Sequence, residues 1–229
     1  MNAAPRASAL VEGAARIVLR PIGNPLPLGF LALACATLVV SGLQLEWLQP
    51  ADGEDVALIL IAFVFPLQLL VAVFGYLGRD VVAGTGMGLL AGTWLAVGLI
   101  KLTSAAGSTS DALGLFLLVV AIAMLIPAAA AGSGKLIPLG VLATTALRFA
   151  TTGIYELTAS PTWQDVAGIV GLVLCALAIY AALAMALEDA QRKTYLPVLR
   201  RGHGRASLEG NLDDQLARIE REAGVREQL

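Results

Sequence analysis

Six apolar stretches, at residues 26–45, 56–77, 81–100, 112–131, 136–157 and 166–187, occupy most of this 229-residue chain. Each is long enough for a helix to cross hydrocarbon about 30 Å thick, which takes roughly 20 residues. A helix on a water-soluble core keeps a polar face every turn, whereas these stretches are apolar nearly all round. Hydrophobic residues make up 58% of the chain and charged residues 14%, a composition suited to lipid as solvent. The expected fold class is therefore all-α, a polytopic membrane protein with six transmembrane helices.

The charges give the orientation. Arg6, Arg16 and Arg20 precede the first stretch, Arg79 lies between the second and third, Lys135 between the fourth and fifth, and Arg192, Lys193, Arg200 and Arg201 follow the sixth. On the other side Lys101 is the only basic residue, among Glu46, Asp52, Glu54, Asp55, Asp111, Glu156 and Asp165. Lys and Arg in short loops stay inside, so both termini are expected in the cytoplasm and the protein in the plasma or inner membrane. A signal peptide does not fit the first stretch, which runs on without a small-residue cleavage site before Gln44 and Glu46. Cys35 and Cys175 fall inside spans, which suits packing rather than a disulfide framework.

Three regions follow: a basic cytoplasmic segment at 1–23, a six-helix membrane domain at 24–197, and a cytoplasmic tail at 198–229. The tail places Leu208, Leu212, Leu216 and Ile219 at helical spacing, the pattern of a short amphipathic helix; a solvated tail is the plain alternative. Gly84, Gly88 and Gly92 recur every fourth residue in the third stretch, and Ala167, Gly171 and Cys175 do so in the sixth. Helices in lipid associate by close backbone approach at such seams, within one bundle or between subunits.

Few residues offer chemistry. Asn24-Pro25 opens the first span with a preferred N-cap followed by a preferred first helical residue. The positive end of that helix dipole and its free N–H groups are a natural place for an anion; an ordinary helix start is the alternative. Arg148 sits inside the fifth stretch, about 12 Å of helix rise from Glu156. A mid-span arginine costs roughly 3 kcal/mol even on the lenient insertion scale, so it is expected to face a cavity or a partner, or else to reach toward Glu156 and Tyr155. Gln68 follows Pro66, which removes a helical hydrogen bond beside that amide. Thr144, Thr145, Thr151 and Thr152 can return their hydroxyls to the helix backbone and are weak signs of a pore. Gly132-Ser-Gly-Lys135 lacks the first glycine of a phosphate loop, no zinc-protease or nucleophile-elbow motif is present, and the single histidine, His203, lies in the tail. The residues argue against an enzyme, with no cofactor, metal or nucleic-acid partner implied.

Asn24-Pro-Leu-Pro-Leu-Gly29 resembles the NPxPLG signature that opens the first span of the acetate uptake transporter family, the group of bacterial acetate/succinate permeases. The sixth span agrees: Ala167-Gly-Ile-Val-Gly171 continuing through Tyr180 to Leu187, then Thr194-Tyr-Leu-Pro197, is similar to that family's ending. Gln68, Tyr76, Thr85 and Trp94 fall at matching positions between them. The resemblance spans about 23–197. It implies a six-helix protomer assembled as a homohexamer, with one path per protomer for short carboxylates, by proton symport or channel-like passage. It places Asn24, Pro25, Leu28 and Gly29 at a mouth of the path and Leu33 and Leu90 at two of three apolar constrictions, the third near Ala143 or Thr144. Two acidic residues common in the family are replaced here by Gly75 and Met185, and Arg148 is not part of the signature.

The function expected is therefore transmembrane transport of small monocarboxylates, acetate-like with succinate as a candidate. The substrate path would use Asn24, Pro25, Leu28, Gly29, Leu33, Gln68, Leu90 and Arg148, the last compensating an anion. The rival readings are a membrane scaffold that keeps the fold without the path, and a regulator acting through its tail.

Overall fold

The computed structural model describes residues 23–199 apart from 133, 135, 192 and 193. Six helices are long and apolar enough to span a membrane: Leu26–Gln44, Pro50–Leu77, Val81–Thr103, Asp111–Ala131, Leu136–Thr158 and Pro161–Gln191. All six expected spans are found. The basic leader and the amphipathic tail helix expected from sequence lie outside the described residues.

The spans form a closed ring. Each packs on the next in sequence, and the sixth closes against the first. Short connections force neighbouring helices to run antiparallel. Each helix therefore buries one stripe against its neighbours and the ring interior, and shows lipid the rest; Leu115, Val119, Ile122 and Ile126 of the fourth span are among the exposed large apolar side chains.

Small residues decide how closely the helices meet. A Cβ at Gly75 would lie 2.7 Å from the backbone nitrogen of Gly84, so the second and third spans touch backbone to backbone. Gly114 and Gly153 do the same for the fourth and fifth, each carbonyl 2.9 Å from a Cβ placed on the other. The Gly84–Gly88 seam is used inside the protomer, against Tyr76 and Ala72, while Gly92 is open. The acid expected of relatives at position 75 has no room here: its Cβ would strike the partner backbone.

The second span is built from three segments rather than one helix. It starts earlier than its apolar run, in a 3₁₀ turn at Pro50–Asp52 closed by the backbone N–H of Gln49 donating to Asp52 Oδ2 at 2.8 Å. Residues Gly53–Ile59 are α-helical, Leu60–Val64 form a π segment, and Phe65–Leu77 return to α. Pro66 explains the π segment. Its ring clashes with the carbonyl four residues back and it has no N–H to donate, so the ladder widens just ahead of it.

Beyond the sixth span the chain folds back under the ring. Tyr180 donates its hydroxyl to Pro197 O at 3.0 Å, Leu136 N–H donates to Leu199 O at 3.2 Å, and Val198 is buried between. The Thr194–Pro197 motif thus ties the sixth span to the start of the fifth.

Candidate functional site

At the end of the ring opposite Asn24 the helix tips and loops enclose a vestibule of about 570 Å³. Val40 and Gln44 line it from the first span, Trp94 and Lys101 from the third, Thr152 and Glu156 from the fifth. Its inner limit is apolar: Trp94 meets Phe149 edge-on, ring centroids 5.5 Å apart at 61°, beside Leu117. Leu90 lies one turn deeper on the third span than Trp94, and Leu33 about two turns deeper than Val40 on the first. Both leucines are fully buried. On the fifth span Leu142, Arg148 and Phe149 are buried, whereas Ala143 is exposed and Thr144 only partly buried.

Lys101 and Glu156 meet at the rim of the vestibule. Lys101 Nζ stands 2.8 Å from Glu156 Oε1, and the pair differ in access: Lys101 is 30% exposed and Glu156 only 2%. Glu156 Oε2 also accepts the Ser110 N–H at 2.9 Å, and Lys101 donates to Ser108 O at 3.2 Å. Sequence had put both charges on this side without pairing them; their positions on different spans carry no spacing signal.

Arg148 does not reach Glu156. It is 1% exposed, in the wall where the fifth span meets the sixth and first. Nη1 donates to Thr152 Oγ1 at 2.8 Å and to Ala167 O at 2.7 Å. Nε and Nη2 are buried without partners, as is Ser41 Oγ. All three elements converge on Gly171, where a Cβ would collide with Ser41 Oγ and stand 2.7 Å from Arg148 Nε. Thr152 lines the vestibule, so the guanidinium lies one side chain behind its surface. The threonines behave as expected: Thr145, Thr151 and Thr152 donate to carbonyls one turn back.

The Asn24 end offers fewer donors than its sequence suggests. The helix begins at Leu26, one residue later than expected, and Asn24 Oδ1 accepts the Leu26 N–H at 3.1 Å. Pro25 and Pro27 have no N–H, and Gly29 N–H donates to Pro25 O at 3.4 Å. Of the first four residues only Leu28 keeps a free backbone donor, so attraction for an anion there rests on the dipole more than on N–H ligands. Leu28 is 38% exposed, on the surface. Gly29 is buried against Met87, and its carbonyl accepts from Gln68 Nε2 at 3.4 Å, leaving buried Gln68 Oε1 without a partner. The structure thus brings Gln68 to the opening motif and sets Arg148 apart from both.

Six helices of membrane-spanning length, closed into a ring around a vestibule with an apolar inner layer, are the architecture of a multi-pass membrane protein. Residues 7–200 match the family model described as the GPR1/FUN34/yaaH family, and the chain belongs to that family. The acetate-transporter resemblance read from the opening and closing motifs is thereby borne out. A solved structure described as the bacterial acetate channel SatP superposes with a TM-score of 0.69 at 21% identity, covering 77% of this chain and 99% of that one. No curated protein sequence matches the chain.

Proposed function

We propose that this protein passes short monocarboxylates of acetate-like size across the membrane, through a path within each ring. The observation that carries the reading is the vestibule of about 570 Å³ ending on an apolar layer, in a chain of this family. An open funnel of mixed polar and apolar lining that ends on a dry constriction can pass a small anion while excluding bulk water, the arrangement by which channels gate and select. The fold shared with a bacterial acetate channel supports the same substrate class. On this reading Leu33 and Leu90 form the constriction, Gln68 and the segment from Asn24 to Gly29 shape the far mouth, and Arg148 offsets the anion's charge through the wall. The charge sorting of the loops puts the vestibule outside the cell. The exposed apolar faces suit lipid or further copies in a homohexamer.

Uptake of labelled acetate into proteoliposomes, with and without an inward proton gradient, tests the reading. Gradient-dependent uptake makes the protein a symporter, and indifference to the gradient makes it a channel. Absence of uptake for acetate, lactate and succinate alike would sink the transport reading and leave a scaffold that has kept the fold.

A further inference from the structure

Among the described residues Lys101 is the one basic side chain lining the vestibule, which also carries Glu46, Glu54 and Glu156. Three carboxylates against one ammonium make a lining hostile to anions, except at the ammonium itself. An ammonium has three N–H donors. Among the described residues two are directed, to Glu156 Oε1 and to Ser108 O in the neighbouring loop. Glu156 is in turn fixed by Ser110 N–H and almost fully buried in the vestibule wall, whereas Lys101 is the more exposed of the two. The third donor is left for a ligand.

We propose that Lys101 is a carboxylate-capture site in the vestibule, with Glu156 as the positioning residue that presents it and competes with the incoming anion. The proposal rests on the monocarboxylate reading above and deepens it by naming where the substrate first binds. The ligand is the carboxylate of a short monocarboxylic acid: the ammonium supplies one charge-assisted hydrogen bond, and Trp94, Val97 and Leu113 supply an apolar surface for a short alkyl group. A dicarboxylate would set its second charge against Glu46 or Glu54, so the site also discriminates by charge count.

Opposite effects of the two partners are the test. Half-saturation for acetate uptake is measured in proteoliposomes at low ionic strength. Lys101→Gln should raise it about tenfold, the scale of one hydrogen bond to a charged group, and Lys101→Arg should stay near wild type. Glu156→Gln keeps an acceptor for Ser110 but removes the competing charge, so it should lower half-saturation by about threefold, the scale of a partly exposed ion pair. A merely structural ion pair would be weakened from either side and both variants would then shift the same way. That result, in variants shown to be folded by their melting transitions, would overturn the capture site while wild-type uptake kept the transport reading intact. Wild-type vesicles that take up no carboxylate would overturn both.

Discussion

Two cations sit in contrasting settings: Lys101 at the vestibule rim and Arg148 in the wall between the fifth, sixth and first spans. Lys101 has a carboxylate at 2.8 Å and partial access to the vestibule. Arg148 has no carboxylate partner among the described residues, only Thr152 Oγ1 and a backbone carbonyl, and two of its nitrogens are buried unpaired. A charge at the boundary is held by a counter-charge and keeps one face for ligands. A charge buried without one is held by packing, and its cost must be met by the helices around it. Their difference teaches that position relative to the vestibule, and not charge alone, decides which cation an entering molecule could reach.

The packing side of that contrast is the easiest to break. Gly171→Ala puts a methyl into Ser41 Oγ and Arg148 Nε. Overpacking of this kind costs about 1–3 kcal/mol, and the upper end is expected because Ser41 is short and buried. Gly92 has nothing within 4 Å of its Cβ position, so Gly92→Ala should be neutral or slightly stabilising. Melting of the two variants in detergent micelles compares them directly; equal midpoints would show that the Arg148 wall yields without strain.

The electrostatic side separates the two cations by salt. Arg148→Met keeps the volume and removes the charge, and should cut acetate uptake by about tenfold or more if the guanidinium offsets the anion. That loss should be the same at 0.02 and 0.5 M salt, because a buried charge is little screened. The loss in Lys101→Gln should shrink severalfold over the same range, since the Debye length falls from roughly 20 to about 4 Å. Uptake by Arg148→Met equal to wild type would reduce Arg148 to a structural element of the wall.

How much of this was legible beforehand follows from range. Six spans, their direction of charge and the opening and closing motifs are local patterns, and all six spans and the family follow from them. The π segment was half visible: Pro66 marks a break, but whether the chain kinks or widens depends on neighbours. The Lys101–Glu156 pair joins residues on two different spans, and the convergence of Ser41, Arg148 and Gly171 joins three, so no spacing in one sequence encodes either. At the Asn24 end the shortage of donors was legible in the sequence, because Pro25 and Pro27 have no N–H to offer.

The smallest expected effect bears on the floor between the two cations. Trp94 is buried against Phe149, and its indole N–H has no hydrogen-bond partner among the described residues. Trp94→Phe keeps a ring in the edge contact and deletes the unpaired donor. Losing part of the aromatic area costs stability, but removing a buried unsatisfied group returns its desolvation penalty of about 1–3 kcal/mol. The two terms oppose each other, so a net change within about 1 kcal/mol is expected. Trp94→Ala loses the ring contact as well and should cost about 3–5 kcal/mol. A Phe variant destabilised as much as the Ala variant would mean that the indole N–H is satisfied in the membrane, by a water or anion held at the vestibule floor. That would place a bound water or anion against Trp94 and Phe149, on the vestibule floor.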